Sequence, residues 1–231
     1  MSIPAANAEV RPGRRAVSEW ALVQLQELIL SGQLAAGDPL GEVELTKMLG
    51  VSRSPTSAAL RQLEDSGLVD VSPTSGRRTV KRFGLEDLEE LYTIRLALEP
   101  LGARMAAERV SSSQLRELSR ILAGSESIDT TTAEGRVARI SADYRFHAHV
   151  CEASRIARLS QLLKDPWLQT RALLAQFESA GKWPDSGIEP DGPASHSSIL
   201  EHIRAHEPEA AETALAEHLR AVRKLLLEAT T

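Results

Sequence analysis

The stretch LTKMLGVSRSPTSAALRQLEDSGLV, residues 45–69, holds two helical signals joined by a tight turn. The first helix is expected at about 42–49, where Gly50 stops it. Ser52 then stands at the start of a second helix, which tolerates Pro55 in its first turn. That helix runs to about Ser66, with Gly67 as its stop. Leu45, Leu49, Val51, Leu60 and Leu63 would form the small core between the two. This is the plan of a helix-turn-helix. The shape also occurs in proteins that never touch DNA; as a recognition helix, the second helix would aim its first turn, with Arg53, Ser54, Thr56 and Ser57, at base edges in a major groove. Arginine can bind guanine through two hydrogen bonds, hydroxyls reach bases or phosphates, and the helix N-terminus favours phosphate oxygens.

On the N-terminal side, Trp20, Val23, Leu25, Leu28 and Ile29 recur at helical spacing over 17–30, and Gly32 ends the run. Residues 1–15, polar and containing Pro and Gly, read as a flexible arm. On the C-terminal side, 68–71 and 78–81 are short strand candidates around a PTSG loop. Residues 71–82 carry Arg77, Arg78, Lys81 and Arg82 and no acidic residue. A basic hairpin beside such a helix suits a wing lying on the DNA backbone. A winged helix-turn-helix domain is therefore expected over 16–82. One such helix reads only a few base pairs, so specificity calls for a homodimer on an inverted repeat.

The charge balance divides the chain at the same place. Residues 1–82 hold ten Lys/Arg against nine Asp/Glu, while 83–231 hold 17 against 23. The overall net charge of −5 speaks against simple coating of nucleic acid, and points instead to two halves with different partners. No apolar run approaches the ~18 residues of a membrane span. The N-terminus lacks the apolar segment of a signal peptide, and a single cysteine, Cys151, fits a reducing compartment; a cytoplasmic protein is expected.

From Leu85 onward the pattern is helical, with helices expected near 85–109, 111–124, 133–153, 156–180, 195–206 and 208–228. All six histidines lie in this half. Asp143 and His147 are one helical turn apart and share a face. His196 has Ile199, Leu200 and Ile203 at its own offsets, and His218 has Ala211, Ala214, Leu215, Val222 and Leu225. One aspartate and three inward histidines on three helices can converge on one divalent ion, with zinc, nickel and manganese as candidates. A single inward histidine is more often a satisfied core residue; four such residues together favour a metal. His149, His202 and His206 fall on other faces and read as surface residues.

These motifs resemble known families. Gly50-Val51-Ser52-Arg53, Pro55, Ala59-Leu60, Leu63-Glu64, Gly67-Leu68-Val69 and Gly76 resemble the recognition segment of the GntR family of bacterial regulators. The resemblance implies DNA contacts by Arg53, Ser54, Pro55 and Gly76. Ser57 and Val43 stand where family members often have arginines. LYTIRLALEPLGARMAAER, ADYRFHAHVCEAS and SHSSILEHIRAHEPEAAETALAEHL look like the FCD effector domain of the FadR-like subfamily, so that the likeness covers about 16–228. It implies a six- or seven-helix antiparallel bundle over 85–229. It also implies a metal held by Asp143, His147, His196 and His218, and a small organic acid as effector. Arg95 and Arg171 look like arginines that hold that acid's carboxylate. Arg155 follows Ala153-Ser154 where many members carry asparagine.

Double-stranded operator DNA and a small carboxylate are thus the expected partners, and no membrane is. The chain is expected to be a transcriptional regulator, a repressor by preference, with a hinge near Phe83-Gly84. A metal-dependent enzyme is the alternative, since Asp/His sites also activate water. It has no general base or nucleophile in view and leaves the DNA module idle. A helical domain serving dimerisation alone would leave the four ligand positions unexplained.

Overall fold

The computed structural model describes residues 14–184 and 192–229. Its described residues form nine α-helices, one 3-10 turn and one two-stranded antiparallel sheet. The chain divides into two compact units at Arg82–Phe83. Most of the expected arm, residues 1–13, lies outside the described residues; Arg14 and Arg15 already belong to the first helix.

In the first unit, α1 (Arg14–Leu30) packs on α3 (Arg53–Asp65), with α2 (Glu42–Leu49) closing the small core. Ala21, Leu25, Leu28 and Ile29 of α1 are buried, as are Leu45 and Leu49 of α2 and Leu60 and Leu63 of α3. Each such leucine contributes roughly 1.5–3 kcal/mol relative to exposure. Val23, expected inward, is 50% exposed, and Ala21 takes the inward place instead. Gly50 ends α2 with φ of 66°, a left-handed conformation that costs other residues a clash at Cβ. Strands β1 (Val69–Val71) and β2 (Arg78–Val80) pair antiparallel, with Val69 opposite Val80 and Val71 opposite Arg78. Pro39 forms a bridge to Thr79, an edge position where its missing N–H does no harm.

The second unit contains α4 (Leu85–Arg109), α5 (Ser112–Glu126), α6 (Ala133–Ala153), α7 (Ala157–Ser179), α8 (His196–Arg204) and α9 (Pro208–Glu228), with a 3-10 turn (Gly192–Ala194) before α8. That makes six α-helices among the described residues, the smaller of the two expected numbers. Caps start them: Ser111 forms a capping box with Gln114, the Thr132 hydroxyl accepts from Gly135 N–H, and Ser195 accepts from Ser198 N–H. Helix α4 is central, touching α6, α7, α8 and α9. Gly102 lets it come close to α6, since a Cβ there would lie 2.9 Å from Cys151 Sγ. Phe83 and Gly84, the expected hinge, are tied into this unit. Phe83 N–H donates to Gln176 Oε1 at 3.0 Å, and Gly84 N–H donates to Asp87 Oδ2 at 2.8 Å.

Candidate functional site

Two groups of side chains carry the chemistry, one in each unit. In the first, Arg53 and Ser54 open α3 with exposed side chains, and Ser57, one turn on, is half-buried. Arg61 lies on the same face and is also exposed, a cation that motif reading passed over. Pro55 and Thr56 behave differently from expectation: both are buried. Thr56 is 0% exposed; its hydroxyl donates to Ser52 O at 3.2 Å and accepts from Thr46 Oγ1 at 3.2 Å. It fastens α2 to α3 and has no path to a base edge. Pro55 packs inward too, pre-setting the helical φ at the start of α3.

The wing tip is open. Gly76 has φ of 66° and nothing within 4 Å of the Cβ position, and Arg77 beside it is exposed. Arg78 is only partly available, because its Nε is ion-paired to Glu64 of α3. It fixes the hairpin to the recognition helix rather than projecting freely as a phosphate contact.

In the second unit, α6 supplies Asp143 and His147, the first residue of α8 is His196, and α9 supplies His218. His147, His196 and His218 are each 2% exposed or less. One ligand atom from each of the four lies within 4.8 Å of all the others. His147 Nε2 is 3.2 Å from His196 Nε2 and 3.3 Å from His218 Nε2. Asp143 Oδ1 is 3.3 Å from His196 Nε2 and 3.8 Å from His147 Nε2.

The outer ring nitrogens have partners of their own. His147 Nδ1 lies 2.5 Å from Glu99 Oε2, and His218 Nδ1 donates to the Ala194 carbonyl of the 3-10 turn at 2.9 Å. Burial, and then the neighbouring His196 and His147, hold His218 well below the usual imidazole range, so it is neutral. A neutral imidazole whose Nδ1 carries the proton presents a lone pair at Nε2, as His218 does here. Two lone pairs at 3.3 Å cannot bond to each other; a cation between them satisfies both. Nitrogens bound at about 2.0–2.1 Å to one ion stand about 2.9 Å apart at neighbouring octahedral positions and about 3.4 Å apart in a tetrahedron, and the observed separations of 3.2 and 3.3 Å lie between the two. The residues present therefore fit a divalent metal, with Asp143 as the anionic ligand.

Arg95 departs from expectation. It is 3% exposed, its Nε donates to Glu99 Oε1 at 2.5 Å, and its guanidinium lies 5.1 Å from the centre of the Tyr92 ring. Its Nε is engaged with Glu99. Burial opposes the charge on Glu99, but Arg95 and then His147 outweigh it and hold the carboxyl at about 2. Glu99 is the residue that motif reading missed. The available signal was Arg95–Glu99 at i, i+4 inside an apolar run. Arg171 is half-buried on α7, 4.9 Å over the Tyr144 ring, and donates to Ser141 Oγ at 3.2 Å. Of the other histidines, His206 is exposed, yet its Nδ1 donates to the Ala107 carbonyl of α4 at 2.7 Å.

Both parts match known proteins. Residues 19–78 match the family described as bacterial regulatory proteins, gntR family, and residues 90–221 match the FCD domain. The chain is 31% identical over 195 residues to the probable D-xylose utilization operon transcriptional repressor of Paenarthrobacter nicotinovorans, covering 84% of this chain and 81% of that protein. It is 25% identical to the Uxu operon transcriptional regulator of Escherichia coli K12, covering 88% and 84%. The crystal structure of a GntR regulator from Rhodococcus sp. RHA1 superposes with a TM-score of 0.73 at 22% identity, covering 92% of this chain and 98% of that one, a likeness of fold. A DNA-reading module joined to an FCD domain is the build of a regulator, not of an enzyme, and this chain belongs to the GntR family of transcriptional regulators.

Proposed function

We propose that the chain is a repressor that binds an inverted-repeat operator as a homodimer. Its DNA affinity is set by a small carboxylate seated on one divalent metal per chain. The observation that carries this is the set of facing nitrogens: three buried imidazoles and Asp143 aim their ligand atoms at one point, with two of the Nδ1 atoms already committed elsewhere. Four protein ligands leave positions open on an octahedral ion, and an open position takes a carboxylate oxygen. Arg171, beside Ser141 and Tyr144 on either side of Asp143, offers a guanidinium for the second oxygen.

The names of the relatives, two of them regulators of operons, favour control of an operon, and the first favours repression. No helix of the described residues is long and apolar enough to cross a membrane. The site of action is the cytoplasm, where the operator is.

Elemental analysis of wild type and His196→Ala tests the metal, and calorimetry with di- and hydroxy-carboxylates followed by operator titration tests the effector. Wild type should carry about one metal per chain and the variant none, with DNA binding retained. A bound carboxylate should shift operator affinity roughly 5- to 150-fold, the span of typical couplings. Stoichiometric metal in His196→Ala overturns the ligand assignment; a tight carboxylate without effect on DNA overturns the regulation.

A further inference from the structure

Glu99 is fully buried, and its carboxylate is shared between two sides. Oε2 faces His147 Nδ1 at 2.5 Å; Oε1 accepts from Arg95 Nε at 2.5 Å and from Trp167 Nε1 at 2.8 Å. Three helices meet on it, since Arg95 and Glu99 lie on α4, His147 on α6 and Trp167 on α7. A buried carboxylate is costly unless its lone pairs are met by donors; Arg95 and Trp167 donate to Oε1, and Oε2 is left facing His147.

We propose that Glu99 is a positioning residue that selects the metal-binding form of His147. This rests on the metal reading above. An ionised carboxylate has no proton to give, so the imidazole must place its own on Nδ1. That leaves the lone pair on Nε2, the atom 3.2–3.3 Å from the Nε2 atoms of His196 and His218. The opposite tautomer would put an N–H where the metal belongs.

The amide of Glu99→Gln separates this role from mere packing. It has one acceptor oxygen and one NH2 group. Arg95 and Trp167 both donate on one side, so the oxygen turns toward them and the NH2 faces His147. His147 Nδ1 must then accept, which drives its proton to Nε2. The variant is close in shape to wild type but inverts the tautomer.

The experiment uses the full chain and zinc as the probe. Nitrogen NMR of the histidine rings in metal-free protein should show His147 protonated at Nδ1 in wild type and at Nε2 in Glu99→Gln. Chelator competition should show zinc binding weakened about 10- to 100-fold in the variant, the usual effect of losing a carboxylate behind a metal-bound histidine. Trp167→Phe, which leaves Oε2 on His147, should keep the wild-type tautomer. Wild-type His147 protonated at Nε2 overturns the proposal, as does a Glu99→Gln protein with unchanged tautomer and zinc affinity. Should that variant fail to fold, the wild-type and Trp167→Phe spectra still decide the tautomer. A wild type with the expected tautomer that binds no zinc would instead overturn the metal reading, leaving the role of Glu99 in the tautomer standing.

Discussion

Arg155 holds a backbone φ of 57° just after the C-cap of α6, and its side chain is exposed. In this left-handed region an ordinary residue costs roughly 1–2 kcal/mol, whereas asparagine is tolerated. The family resemblance implies asparagine here in many members, and the dihedral angle supplies a physical reason that no motif records. Arg155→Asn should therefore stabilise the helical unit by roughly 1 kcal/mol, raising its midpoint by roughly 2–4 °C in a calorimetric scan. A lower midpoint would show that the arginine side chain outweighs the strain. Thr56 makes the complementary case. Its hydroxyl looked free for DNA, but both of its hydrogen bonds turn inward to Ser52 and Thr46. Thr56→Val deletes the hydroxyl that bonds Ser52 O and Thr46 Oγ1, while Thr46 keeps its bond to Glu42 O, and should cost roughly 0.5–1.5 kcal/mol, read as a lower denaturation midpoint.

Among the elements, α6 and α9 begin and end where apolar spacing and caps put them, at Ala133–Ala153 and Pro208–Glu228. The convergence of Asp143, His147, His196 and His218 was legible for the same reason: their offsets point them inward along their own helices. Glu99 was not, because beyond Arg95 on its own helix its partners His147 and Trp167 lie 48 and 68 residues away, and periodicity records only a helix's own faces. The wing shows the same limit. Its basic run was plain, but the commitment of Arg78 to Glu64 depends on how β2 sits against α3. Arg53→Ala should then cost roughly 1–3 kcal/mol on operator DNA and relax one base position in each half-site. Arg77→Ala should weaken binding to all sequences and flatten the salt dependence. Glu64→Ala should free Arg78 and loosen the hairpin, lowering operator affinity although it removes a negative charge. Binding titrations on operator and random DNA at several salt concentrations separate the three; a rise in operator affinity for Glu64→Ala would refute the tie.

For the molecule as a whole, the four residues of the candidate metal site come from α6, α8 and α9, so that one ion would join three helices of the second unit and none of the first. At metal concentrations about 1,000 times Kd, binding stabilises the folded state by about 4 kcal/mol. Chelation should thus lower the melting of the helical unit by roughly 8–16 °C, and leave that of the winged unit in place. A scan in which both transitions fall together would contradict independent units. The donor set has a practical consequence as well. Three imidazoles and one carboxylate can hold nickel, zinc or manganese, with affinity following the general order of first-row metals. What fills such a site is decided by supply. Protein made in rich medium and recovered over a nickel resin will report the resin, and only chain isolated without immobilised metal from cells at natural metal levels will report the organism.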